Sequence, residues 1–298
     1  MSFKGQLLRA GIHTDGKNIV IPEGILTARN IVSPVGNVYY VNGLMSSSGS
    51  GSSWSNAYKT IAEAIAIVNA RIDWGASPWA TSDIINIAAG SYDENLTSMP
   101  YGAIMIGREF DMKDAQIGVK IAPTAGSPVD VGSCINTAFY NIGFHSTTTY
   151  AAFDAEILNN VLFDGCYLSG PVETQTAAAG IVSLDSTMLR VIDSQFSCLD
   201  KGIDINYADG GDKFAHALIK GTIFDQIDTA GIEISSNLVG PSSKVIDCYF
   251  FGGGATMGYA ILDGSTLIDV AKCFAESTNG FSGVRSVNGS YNNGALVT

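Results

Sequence analysis

Two carboxylates carry the sharpest chemical possibility in this 298-residue chain. Gly180-Ile181-Val182-Ser183, Gly202-Ile203-Asp204-Ile205 and Gly231-Ile232-Glu233-Ile234 share one pattern. In β-strands, alternation turns the isoleucines inward and Asp204 and Glu233 outward. If these strands stack in successive turns of the chain, the two carboxylates lie about 5 Å apart. Retaining glycosidases use about that separation between nucleophile and acid. Mutual repulsion would raise one of the two pKa values and set an acid beside a base. Asp209, Asp212 and His216 follow in the loop 208–216 and could join the pair or hold a cation. The plainer alternative is a solvated polar face, which is preferred because charges are ordinary on repeat exteriors and long carboxylates splay apart in water.

The remaining reactive residue types form no constellation. His145 and His216 belong to neither an HExxH nor a GxSxG elbow. Gly252-Gly253-Gly254 lacks the Lys-Ser/Thr of a phosphate loop and reads as a bend. The five cysteines, Cys134, Cys166, Cys198, Cys248 and Cys273, are odd in number with no CxxC. They read as small buried hydrophobes in a reducing compartment. Neither a metal site nor a cofactor is expected. Trp74 and Trp79 lie in one loop and could stack on sugar rings. The favoured alternative has them, with Trp54, sealing one end of the fold.

The elements that would position these residues repeat. Short apolar strands, each followed by Asp, Asn, Lys or Gly and then by an aromatic or Ile, recur through the second half. The anchors Phe144, Tyr167, Phe196, Ile223, Phe250 and Phe274 are 23, 29, 27, 27 and 24 residues apart. A period in the range of about 20–50 residues signals a solenoid, and strand-only units of this length fit the coils of a parallel β-helix. Residues 57–71 are the one convincing helix, with Tyr58, Ile61, Ala62, Ile65 and Val68 on one face. Ser55 or Asn56 would cap it and Arg71 suits its last turn. Laid over the first coil, the helix would cover an edge that otherwise templates aggregation.

Residues 1–36 form a locally basic arm with Phe3, Lys4, Leu7, Leu8 and Arg9 as candidate attachment residues, residues 37–276 the solenoid, and residues 277–298 an irregular tail. Net charge is −12, which argues against nucleic acid as a partner. No apolar run reaches the roughly 18 residues of a membrane span. Lys4, Arg9 and His13 interrupt any signal-peptide core, so classical export is not expected.

Val38-Tyr39-Tyr40-Val41-Asn42-Gly43, a Ser/Gly loop, Trp54-Ser55-Asn56-Ala57-Tyr58-Lys59-Thr60-Ile61 and Ile84-Ile85-Asn86-Ile87-Ala88-Ala89-Gly90-Ser91-Tyr92 resemble the opening of pectate-lyase-like right-handed parallel β-helix proteins. The resemblance spans about residues 37–276 and implies an all-β fold with one N-terminal capping helix. It is specific for fold and weak for function, because the fold hosts lyases, hydrolases, adhesins and phage proteins. Hydrolases of this fold carry paired Asp residues and a Gly-His-Gly, which this chain lacks. Arg190 is the nearest match to a lyase's basic strand residue, without acidic partners at the right spacing. With the arm and the compact size, the resemblance implies a virion-surface protein of a tailed phage, a homotrimer on capsid or tail proteins. Decoration of the capsid is favoured over a tailspike that binds or cleaves a host surface glycan.

Overall fold

The structure, a computed structural model, describes residues 36–72, 83–108, 118–147, 149–171, 178–206, 214–235, 242–252 and 257–297. It is an all-β, right-handed parallel β-helix with one α-helix among the described residues. The proposed arm and its candidate attachment residues Phe3, Lys4, Leu7, Leu8 and Arg9 lie outside the described residues, as do Trp74, Trp79, Asp209 and Asp212.

Each full coil presents three faces. Ten parallel strands form the first, from Val38–Val41 to Ser286–Asn288. One inward row runs its length in register: Tyr39, Ile85, Met105, Phe139, Phe163, Val191 and onward to Val270. All of these are buried. The second face runs from Gly90–Tyr92 to Ser290–Asn292, and Ala295–Val297 closes it antiparallel. The third carries Val129, Phe153, Ile181, Ile203, Ile232 and Ile261 in one inward register. Alternation with a period of two puts every such row on one side of its sheet. Stacking the coils then merges the rows into one continuous core.

The corner between first and second faces explains the recurrent Asp/Asn/Lys/Gly. Asn141, Gly165, Asp193, Gly221, Asp247 and Lys272 all have φ between 46° and 62°. That left-handed region excludes most side chains and favours Gly, Asn and Asp. At several corners the next buried residue is a hydroxyl side chain that caps the backbone of a neighbouring coil. Ser194 Oγ accepts from the Cys166 amide at 3.1 Å, and Ser290 Oγ from that of Cys273 at 3.1 Å. All five cysteines are free and buried. Burial pushes the thiols of Cys134 and Cys166 up to about 12, where they are inert.

Three of the expected anchors are displaced by one residue. The inward row of the second face is Phe144, Leu168, Phe196, Phe224, Phe250 and Ala275. Tyr167, Ile223 and Phe274 point outward. A one-residue slip reverses a side chain's face, and apolar residues on both sides of these strands conceal the slip. The rings of Phe196, Phe224 and Phe250 stack at 4.9 and 4.7 Å, with 11° and 6° between planes. Gly180, Gly202 and Gly231 lie against them. A Cβ on any of the three would come within 2.4 Å of a ring carbon.

The helix is shorter than 57–71. It spans Ile61–Ala70, preceded by a 3-10 turn at Trp54–Asn56. Thr60, not Ser55 or Asn56, is its N-cap, with Glu63 completing a reciprocal capping box. The chain must first pair Tyr58 beside Val41, so the helix cannot start earlier. Its buried residues Ile61, Ala64, Ile65 and Val68 join the core of the first coils. Glu94 fixes the docking by accepting the amides of Ile61 and Ala62 at 2.9 and 3.0 Å. Past the other end, Arg71 pairs with fully buried Asp83 at 2.6 Å. Residues 277–297 are not an irregular tail: Phe281–Ser282, Ser286–Asn288 and Ser290–Asn292 continue the three faces.

Candidate functional site

The third face does bring Asp204 and Glu233 together. They are register partners on adjacent strands, between Val182 and Leu262. Asp154 and Asp130 occupy the same outward row two and three coils back from Asp204. The long strands Gln195–Ile205 and Ile223–Ile234 serve two faces each and turn between them at Cys198 and Gln226, both with positive φ.

Just past the corner the register shifts between Leu199 and Lys201, which breaks strict alternation. Gly202 and Ile203 are both buried, so Lys201 and Asp204, three residues apart, emerge on the same side. The Lys201 ammonium sits between the carboxylates, 2.9 Å from Asp204 Oδ2 and 3.0 Å from Glu233 Oε2. The three side chains are only 17–23% exposed. Desolvation works against the Lys201 charge, but the bonds to Asp204 and then Glu233 hold its pKa above the ordinary lysine range. Burial pushes the Asp204 carboxyl up, and contact with Lys201 only partly offsets this. Asp204 Oδ1 is buried with no hydrogen-bond partner among the described residues. One coil edge away, Thr229 donates to Asp200. Asp154 is likewise raised, by burial first and then by Asp130 and Glu156.

A carboxylate pair working as nucleophile and acid needs an open approach for the sugar between them. Here Lys201 fills that approach and compensates the charge. Sequence reasoning missed Lys201 because alternation from Asp204 puts position 201 on the inner side. The Gly-Ile that precedes both carboxylates, with the Gly set against a core ring, was the available signal for the break in alternation.

The other candidates do not converge on this pair. His216 is an exposed residue at a left-handed turn (φ 55°) beside the first-face strand Leu218–Lys220. His145 stands on the second face, its Nδ1 2.8 Å from Ser169 Oγ. Burial, then Lys120, lowers its pKa to about 4. Arg190 lies on the first face and donates to Asn160 Oδ1 at 3.1 Å. Trp54 is 40% exposed and packs edge-on against Tyr40 at 4.8 Å. Among the described residues, no group of three His, Cys, Asp or Glu side chains could hold a metal ion. No described helix is long and apolar enough to cross a membrane. Compared with known proteins, the chain matches no family model and no curated protein.

Proposed function

We propose that this chain is a structural protein of a tailed-phage virion, a homotrimeric decoration of the particle surface rather than an enzyme. The observation that supports this most is Lys201, which charge-pairs the Asp204–Glu233 couple. The solenoid, with a helix over its first coil and rows of side chains locked in register, suits a rigid projecting body. The phage setting comes from the arm and the compact size, set beside the resemblance of residues 37–276 to pectate-lyase-like β-helices, a fold that phage proteins share. The arm, residues 1–36, with Phe3, Lys4, Leu7, Leu8 and Arg9, would dock on capsid or tail proteins.

The test is deletion of residues 1–36 followed by co-sedimentation with particles that lack the protein. Retained folding with lost sedimentation is the expected result; undiminished sedimentation would remove the arm from the proposal. A tailspike-like glycan-binding or depolymerising role is the second reading, favoured by the unpartnered Asp204 Oδ1. Cleavage of a capsule or lipopolysaccharide glycan that disappears in Asp204→Ala would establish it over the first.

A further inference from the structure

The outward side of the second face carries a second continuous row. Tyr167, Gln195, Ile223, Tyr249, Phe274 and Tyr291 occupy one register position in successive coils. Leu296 on the closing antiparallel strand lies opposite Tyr291. Phe251 flanks the row, its ring 6.4 Å from Tyr249 and 6.1 Å from Phe274. Ile223 is 37% exposed, Tyr249 49%, Tyr291 44% and Leu296 56%. None of the residues in the row carries a charge at neutral pH, on a chain of net charge −12.

We infer that this row is the surface by which copies of the chain pack side by side with parallel axes. The inference rests on the oligomeric part of the proposed function and specifies its contact face. Three physical arguments select a second copy as the occupant. The first is pitch. The row repeats once per coil, about every 4.8 Å over roughly 24 Å, and another copy offers side chains at the same spacing. The second is charge. Two bodies this acidic repel, so contact is favoured along an uncharged row; Asp225 and Glu276, two residues on from Ile223 and Phe274, fall at its rim, and the row Asp130, Asp154, Asp204 and Glu233 stands on a different face. The third is area. A fully buried aromatic removes about 150–250 Å² from water. Two half-exposed tyrosines with Ile223 and Leu296 therefore leave roughly 300 Å² of surface in one row, the size of the largest patch on many proteins and often a functional one. A stable interface buries about 800 Å² per partner, with an apolar centre and a polar rim. The row has the size of that centre, and the strands beside it would supply the rim.

The test pairs two measurements. Molar mass by light scattering is compared for the wild type and for Tyr249→Glu/Tyr291→Glu, with Ile157→Glu, exposed on the third face, as control. Separately, Tyr249→Cys and Ile157→Cys are treated with a short bismaleimide cross-linker. The native cysteines are buried and silent in that assay. The expected result is a multimeric wild type, a double variant reduced to the 31.2 kDa monomer with its β-sheet circular dichroism intact, and linkage at position 249 but not 157. If the double variant unfolds, cross-linking of the otherwise native chain decides. A multimer that survives the double substitution and does not link at 249 overturns the assignment of this face while the oligomeric reading stands. A wild type that is monomeric at every concentration overturns both.

Discussion

Replacing Lys201 with Met removes the charge between Asp204 and Glu233 while keeping a chain of similar reach. Two contacts of 2.9 and 3.0 Å disappear, and two carboxylates that are about four-fifths buried remain facing each other. At roughly 5 Å and an effective dielectric of about 20, their repulsion is about 3 kcal/mol. Removing one partner of a buried ion pair costs about 3–5 kcal/mol, and partial exposure sets the expectation at the lower end. The expected loss at pH 7 is therefore about 3 kcal/mol. Its pH dependence follows from linkage. Burial already holds the Asp204 carboxyl above its ordinary range, and without the lysine it rises further. The folded variant then takes up protons first on acidification, and its deficit shrinks as pH falls through the carboxylate range. Urea unfolding followed by circular dichroism at pH 7.5 and at pH 3.5 reads this directly. The variant should be about 3 kcal/mol less stable at the higher pH and within about 1 kcal/mol of wild type at the lower. Adding Asp204→Asn and Glu233→Gln should recover most of the loss at pH 7.5. A loss below about 0.5 kcal/mol, or one independent of pH, would refute the reading of Lys201 as the structural partner of the pair.

Further expectations follow from the core, the helix cap and the lone second-face histidine. Phe224→Ala opens a gap between two stacked rings and should cost about 3–5 kcal/mol in urea unfolding; a cost under 1 kcal/mol would contradict the stack. Glu94→Ala leaves the Ile61 and Ala62 amides without their carboxylate and should cost about 1–2 kcal/mol, with faster hydrogen exchange in the first helical turn. His145, with its pKa lowered to about 4 by burial and by Lys120, favours the fold fully above pH 6.5, and that contribution is lost as pH falls toward 4. The full shift would correspond to about 3 kcal/mol; with a half-buried ring, solvent screening leaves about 1 kcal/mol, which His145→Gln should abolish.

How legible the molecule was in its sequence depends on how redundant each signal is. The solenoid was legible because its inward rows repeat in every coil, so one misplaced anchor does not hide the period. The exact inward residue was not, because Tyr167, Ile223 and Phe274 are as apolar as their buried neighbours Leu168, Phe224 and Ala275. Only the register decides between them. The Asp204–Glu233 pairing was legible from the shared Gly-Ile-acid-Ile pattern. Lys201 was not, since its side depends on a register shift that period-two alternation cannot express. The helix was legible from its apolar spacing, but its start depends on the Tyr58–Val41 bridge, a contact with no local signature. The last coil, residues 277–297, carries few large apolar residues and borrows its core from Phe250 and Val270, so periodicity fades there although the strands persist.

The molar mass of the purified 298-residue chain in solution tests the central claim most directly. The account predicts a value near three times 31.2 kDa by light scattering, unchanged on dilution through the low micromolar range. A stable monomer at every concentration would contradict the trimeric virion reading.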